Sequence, residues 1–352
     1  MKKIAIFNHK GGVSKTTTSF NLGWSISNLG KKVLLVDADS QCNLTMYALG
    51  EENFQAHYEK LPRDNIYHAL MPAFKSQPRL IEAVNCPEIN DNLYLLPGHI
   101  NLTENEVQLG ISMQLSNAFG AMENLPGAIN YLIEETAKKY YIDYVIIDMN
   151  PSLSAINQNI FVCSDYFIIP TSPDLFSLMS IDSLGRIIPS WESWAEKARP
   201  VFSPERTTYP LPDTTPTFLG YTINDFNLSH GRPQHTFRGF MEQISEKISS
   251  ELIPALQAKN MLLSHENYEK AYTTMRYSSE SKKIDYQDVY CLAQISNFNR
   301  LIALSNERSI PVFELELPHD FLKDGQQRTL KWFQFLYNAF ALRILELMGD
   351  EQ

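Results

Sequence analysis

Residues 8–17 read Asn-His-Lys-Gly-Gly-Val-Ser-Lys-Thr-Thr (NHKGGVSKTT). This approaches the phosphate-binding pattern G-x-x-x-x-G-K-[ST], whose backbone N–H groups cradle phosphate oxygens. His9 and Ser14 stand where that pattern has its two glycines, and Lys10 is an extra cation. The flanks settle the reading. KIAIFN (3–8) is a short apolar run that predicts a buried strand. KTTTSFNLGWSISNLG (15–30) predicts a helix, with Phe20, Leu22, Trp24, Ile26 and Leu29 to pack and Gly30 as its stop. KKVLLVDAD (31–39) predicts a second strand closed by two acids. Strand, loop, helix and strand make one βαβ unit, which implies a parallel sheet.

In such a loop a strand feeds consecutive N–H groups toward an anion, and a helix N-terminus backs them with its dipole. Gly11 and Gly12 permit close backbone approach, and Val13 and Ser14 complete the turn. Lys15 stands where a lysine reaches the β- and γ-phosphates, and Thr16 where a hydroxyl holds Mg²⁺. The carboxylates that such chemistry needs come at strand ends. YVIIDMNPS (144–152) is a continuous apolar run, a central parallel strand, and Asp148 closes it. Asp37 and Asp39 are two apart on their strand, so both are expected to face the phosphates. One would support Mg²⁺ while the other orients the attacking water.

The bulk numbers fit this. The chain has 352 residues, 44% of them hydrophobic and 20% charged, enough for a substantial core. Its formal net charge is −10. Residues 1–50 hold six lysines against two aspartates, a net of +4, leaving −14 for the rest. The acidic whole argues against a protein that coats nucleic acid on every face, while leaving room for a local basic patch. Cys42, Cys86, Cys163 and Cys291 form no C-x-x-C pair and read as reduced cytosolic thiols. No leader peptide or membrane-spanning run is evident, so a cytoplasmic location is expected.

Further along, NLYLLPG (92–98), SDYFIIPTSPD (164–174) and TFLGYTINDF (217–226) predict strands, and PGAINYLIEETAKKY (126–140) a helix. Five prolines in 199–216 predict an extended surface insertion. Residues 232–285 read as helical and polar. SIPVFELEL (309–317) is expected to be the last strand, and 329–348 a helix with an apolar stripe at 330, 333, 336, 337, 340, 344 and 347. The expected fold is α/β: a doubly wound, mostly parallel sheet with helices on both faces. The whole of 1–352 is read as one domain with insertions near 51–90, 199–216 and 254–290 and a C-terminal helix at 329–348.

KGGVSKTT resembles the deviant Walker A motif KGGxGK[ST]T of the ParA/MinD (ParA-like, Soj-type) P-loop ATPases. The likeness continues in order. LLVDADSQCNLT (34–45) is similar to the form in which D-x-D precedes P-Q-x-x-x-T, with Ser40 in place of the proline and Gln41 and Thr45 matching. NIYHALMP (65–72) and NLYLLPGHINLTENE (92–106) resemble the family's middle blocks. YIDYVIIDMNPS (141–152) and SDYFIIPTSPDLFSLMSIDSLG (164–185) match its Walker B and following blocks. Together they cover most of 1–186.

The resemblance implies ATP and Mg²⁺ as cofactors. It assigns Lys15 to the β- and γ-phosphates and Thr17 to the α-phosphate. Lys10 becomes the signature lysine that reaches the partner's phosphates in a nucleotide-sandwich dimer. Thr16, Asp37 and Asp148 are placed at the metal, Asp39 at the attacking water, and Asn224 of TIND at the adenine edge. A lysine supplied in trans, as arginine fingers are, makes hydrolysis conditional on dimerisation. Turnover is therefore expected to fall well below the ~1–100 s⁻¹ of kinases. Ser14 departs from the family at a glycine whose backbone conformation is costly for other residues, by ~1 kcal/mol.

The implied role is an ATP-dependent dimerisation switch in plasmid or chromosome partitioning, or in cargo positioning. Its implied partners are a second copy, nonspecific DNA and a small ParB-like or operon-specific activator, with nucleoid association if DNA is bound. Arg276, Lys282, Lys283, Arg300 and Arg308 are the candidate DNA contacts, blunted by Glu280, Asp285 and Asp288. Two alternatives stand beside it. One is a nucleotide-gated adaptor with partner surfaces at 199–216 and 254–290. The other is a MinD-like membrane switch, which needs a basic amphipathic end. The 329–348 helix offers only Lys331 and Arg343 against Glu346, so the membrane is the weaker alternative.

Overall fold

The computed structural model describes residues 1–114, 122–229, 232–277, 286, 288–316 and 324–350. Its strands are β1 (Lys2–Ile6), β2 (Val33–Ala38), β3 (Glu88–Asn90), β4 (Leu93–Leu96), β5 (Tyr144–Met149), β6 (Tyr166–Thr171), β7 (Thr217–Phe226), β8 (Leu228–Ser229), β9 (Arg232–Pro233) and β10 (Cys291–Ser296). Helices α1 (Lys15–Asn28), α2 (Asn43–Leu49), α3 (Glu51–Lys60), α4 (Ile66–Phe74), α5 (Glu106–Gln114), α6 (Leu125–Tyr140), α7 (Ala155–Val162) and α8 (Leu175–Ala198) alternate with the first six strands and lead into β7. Then come α9 (His235–Lys247), α10 (Ile253–Gln257), α11 (His265–Tyr277), α12 (Leu301–Arg308) and α13 (Asp324–Leu347).

Eight strands form one sheet in the order β10-β7-β6-β1-β5-β2-β4-β3, parallel except where β3 runs against β4. The continuous apolar runs occupy its middle, because a parallel strand covered on both faces can be apolar throughout. Alternation then splits each strand between two cores. Ala5, Leu34, Val36, Val145 and Ile147 pack under α4–α8. Ile4, Ile6, Val33, Leu35 and Ile146 pack under α1 and α13. Every apolar stripe residue named for 329–348 is buried in the second core.

Two expectations need correction. The described part of SIPVFELEL, 309–316, is not a strand. Pro311 supplies no N–H to a ladder, and Val312–Glu314 closes a 3₁₀ turn that buries Val312, Phe313 and Leu315. Among the described residues the last strand is β10, which pairs with β7 through two register shifts. Its sequence CLAQIS is short and poor in β-branched residues, so it gave little signal. The proline-rich 199–216 is not an extended surface arm either. Its aromatic and apolar side chains turn inward, burying Phe202, Tyr209 and Leu211. The amide of Ile81 donates to the Tyr209 hydroxyl at 2.9 Å. A Cβ on Gly127 would lie 1.9 Å from the Tyr209 carbonyl oxygen, so a glycine is what admits the segment.

Candidate nucleotide site

The loop leaves β1 at the middle of the sheet, beside β5 and β6, where the strand order reverses. Crevices outside such strand ends are where doubly wound sheets bind ligands. Asn8 fixes the loop's start. It is fully buried, donates to the Pro170 carbonyl at 2.8 Å, and accepts from the Lys10 amide at 3.0 Å and the Ser180 hydroxyl at 2.5 Å. Gly12 and Ser14 both take the left-handed conformation, with φ of 68° and 61°. The first intrahelical bond of α1 runs from Thr18 N to Ser14 O, 2.8 Å. The N–H groups of Lys15, Thr16 and Thr17 precede it and are those a helix start offers to an anion. A Cβ built on Gly11 or Gly12 would meet nothing within 4 Å. The cradle is open to a ligand, and phosphate oxygens fit it.

Beneath the cradle lie the acids. Asp37 and Asp148 are register partners on β2 and β5. The Ser19 hydroxyl donates to Asp148 Oδ1 at 3.1 Å. Burial pushes the Asp148 carboxyl well above the usual range, and the charge of Asp37 adds to it. Asp37 is likewise pushed up by burial, to about 6, although hydrogen bonds from Thr45 and the Asp39 amide oppose the shift. Thr45 supplies its amide at 2.8 Å and its hydroxyl at 2.6 Å to Asp37 Oδ2. That hydroxyl accepts from the Gly98 amide at 3.0 Å, and a Cβ on Gly98 would fall 2.9 Å from the Asp37 carboxyl carbon. Asp39 Oδ1 accepts from the Gln41 amide at 2.9 Å. Asp37 and Asp39 therefore diverge in their bonding, one toward Thr45 and the other into its own turn.

Lys15 is buried and its ammonium donates to the Lys10 carbonyl at 3.0 Å. Burial lowers its pKa to about 8, against the opposing charges of Asp148 and Asp39. Among the described residues no group of three or more His, Cys, Asp or Glu is placed to hold a metal. Thr16, Asp37 and Asp148 instead present a sparse set of hard oxygen donors. That suits Mg²⁺, which keeps waters and shares its shell with phosphates rather than entering an all-protein cage.

The rim of the loop is made by contacts that motif reading did not reach. Lys10 Nζ pairs with Asp174 Oδ2 at 2.9 Å, and Asp174 also caps α8 through the Ser177 amide. The Ser14 hydroxyl donates to Asp225 Oδ2 at 2.5 Å. Asn224 is engaged with the loop itself. It is buried under the loop, donating to the Val13 carbonyl at 2.9 Å and to the Thr222 hydroxyl at 3.1 Å. It therefore braces the loop from below. Asp174 and Asp225 lay within the SPD and TIND stretches, but nothing in their spacing marks a cross-loop partner.

Of the candidate DNA contacts, Arg276 lies on α11, while Lys282, Lys283, Glu280 and Asp285 fall outside the described residues. Arg300 and Arg308 stand at the two ends of α12, and Arg308 donates to the Glu316 carbonyl at 2.8 Å. The four cysteines are free. No helix among the described residues is long and apolar enough to cross a membrane.

The AAA_31 family model, described as an AAA domain, matches residues 1–197. The sporulation initiation inhibitor protein Soj of Bacillus subtilis is 35% identical over 183 residues, 52% of this chain and 63% of Soj. The chain thus spans less than two thirds of the curated relatives it matches. Among solved structures, an ATP complex of McdA from Cyanothece is similar with a TM-score of 0.60 at 18% identity, covering 100% of this chain and 98% of that one. The structure of pNOB8 ParA bound to nonspecific DNA gives 0.52 at 19% identity, covering 99% and 98%. At these identities the two structures speak for the fold.

Proposed function

Because the chain belongs to the AAA_31 family, among the ParA/MinD-like P-loop ATPases, we propose that it is a slow, Mg²⁺-dependent ATPase working as an ATP-driven dimerisation switch. The observation that carries this reading is the convergence of an open glycine cradle, Lys15, Thr16 and two strand-end acids, Asp37 and Asp148, at the reversal point of one sheet. The N–H groups of residues 11–17 receive the phosphates, with Thr17 on the α-phosphate. Lys15 is held close by burial and meets the β- and γ-phosphates. Thr16, Asp37 and Asp148 hold Mg²⁺. The metal, when bound, neutralises charge on the phosphate oxygens. Asp39 orients water. Lys10 leaves Asp174 and reaches the partner's phosphates. The whole chain acts as one unit, a reading supported by Lys2, whose ammonium meets the Met348 carbonyl at 2.7 Å and Asp350 at 2.8 Å.

Dimerisation through the loop's face is supported by Leu175, Phe176 and Met179. They are 58%, 67% and 58% exposed on the first turns of α8, directly after Asp174. Apolar side chains left out at the rim of a charged site suit a surface that is covered in another state. The output we favour is nonspecific DNA binding in partitioning or cargo positioning, with a small activating protein; pNOB8 ParA, which shares the fold, is bound to nonspecific DNA in its structure. A membrane switch is less favoured, because the apolar stripe of α13 is spent on the core. An adaptor role loses one surface, since 199–216 packs inward.

The test is ATPase rate and oligomeric state with ATP, with and without duplex DNA or liposomes, for wild type and Lys10→Ala. The reading expects an ATP-dependent dimer, stimulation by DNA and loss of both hydrolysis and dimer in Lys10→Ala. Normal hydrolysis and dimerisation of that variant would remove the signature lysine from the account. Silence to DNA and liposomes alike would favour the adaptor.

A further inference from the structure

Ser14 occupies a left-handed conformation, φ 61° and ψ 35°, at the N-cap of α1. A side chain there costs roughly 1 kcal/mol relative to glycine. α1 offers no side-chain cap bond in return. The compensation comes from across the sheet. β7 has ten residues against six in β6, its neighbour on the side of β1, so its far end overshoots toward the loop. Two consecutive residues of that end hold two consecutive residues of the loop. Asn224 bonds the Val13 carbonyl at 2.9 Å, and Asp225 Oδ2 accepts from the Ser14 hydroxyl at 2.5 Å. Asp225 is itself left-handed, with φ 60°, a conformation that aspartate tolerates better than most residues.

We propose that Asp225 is a positioning residue for the phosphate loop. Its carboxylate fixes Ser14 in the left-handed conformation and so keeps the following N–H groups aimed at the anion. Serine and aspartate together replace a glycine. The inference rests on the reading of the loop as a nucleotide site. A negative charge beside a phosphate cradle opposes anion binding. The contribution of Asp225 is therefore its hydrogen bond rather than its charge, and this separates the variants that test it.

The experiment titrates a fluorescent ATP analogue, with Mg²⁺, into wild type, Asp225→Gly, Asp225→Asn, Ser14→Gly and the double variant Ser14→Gly/Asp225→Gly. Glycine at 225 removes the acceptor while keeping the positive φ at no cost. Melting of each variant without nucleotide shows that it is folded. Asp225→Gly is expected to weaken binding about fivefold, the equivalent of one lost hydrogen bond. Asp225→Asn keeps an acceptor and sheds the charge, so its affinity stays at or above that of wild type. In the Ser14→Gly background, whose own affinity is the reference, adding Asp225→Gly has no further effect. An equal loss from Asp225→Gly whether serine or glycine stands at position 14, or no loss in either case, overturns the inference. A wild type that fails to bind the analogue instead overturns the nucleotide reading, and the inference with it.

Discussion

The floor and the rim of the phosphate loop are built on opposite electrostatic terms. On the floor, Asp37, Asp148 and Lys15 are buried within a network of Thr45 and Ser19, and each is displaced from its ordinary ionisation by loss of solvent. On the rim, Lys10–Asp174 is a partly exposed ion pair and Ser14–Asp225 an exposed, short hydrogen bond. A buried charge without a full partner is costly and changes its surroundings strongly when removed. An exposed pair is worth ~0–1 kcal/mol and can be remade cheaply. The floor is thus suited to holding a ligand, and the rim to being rearranged by one.

The largest effect should come from the floor's cation. Lys15→Ala should cut nucleotide affinity on the order of 100-fold, as truncation of one member of a desolvated charge pair does. Titration with a fluorescent analogue reads it. A loss of only a few-fold would place Lys15 with the rim and erase the contrast.

Asp148→Asn comes next, and it should act in opposite directions on stability and on function. Without ligand the variant should melt higher, by roughly 2 °C, because it removes a carboxylate that burial and Asp37 make costly to ionise. Hydrolysis with Mg²⁺ should fall on the order of 100-fold, as when a transition-state electrostatic group is lost. The pH dependence follows from the same shifts. The folded chain keeps protons on Asp37 and Asp148 that the unfolded chain releases near pH 4. The stability these two acids contribute without ligand is therefore fully present below that point, and is lost as pH rises to about 6 for Asp37 and higher for Asp148. Ligation of Mg²⁺ needs the ionised acids, so the added stabilisation by Mg²⁺ and ATP should grow over the same rise. Melting with and without the ligands across this range checks both slopes. A stabilisation by ligand that is flat with pH would separate the acids from the metal.

The floor was legible in the sequence and the rim was not, for a physical reason. KIAIFN, KKVLLVDAD and YVIIDMNPS advertise their burial by continuous apolar residues, and parallel pairing of such runs forces Asp37 and Asp148 side by side. Lys10–Asp174 and Ser14–Asp225 join residues 164 and 211 positions apart, through polar side chains with no period to reveal them. Asn224 shows the same limit, since nothing in TIND announces its bond to the Val13 carbonyl across the loop. The C-terminal third was harder still. β10 hides in CLAQIS, whereas SIPVFELEL alternates like a strand yet turns directly after Pro311.

The smallest effect, and the one that probes the rim as a device, concerns Asp174. Its Oδ2 holds Lys10, while its Oδ1 caps α8 by accepting from the Ser177 amide at 2.9 Å. Alanine would lose both contacts and confuse a freed lysine with a frayed helix, a cap being worth about 1 kcal/mol. Asp174→Asn keeps the cap acceptor and removes the charge that restrains Lys10. If the lysine must leave Asp174 to meet a partner's phosphates, releasing it in advance should tighten the ATP-dependent dimer. Surface pairs contribute ~0.2–1 kcal/mol and two are released per dimer, so the dimer dissociation constant should fall about two- to thirtyfold. Sedimentation with ATP at several protein concentrations resolves such a change, and Lys10→Ala/Asp174→Asn should abolish it. An unchanged constant in Asp174→Asn would mean that the Lys10–Asp174 pair does not oppose dimerisation, leaving Asp174 as a helix cap alone.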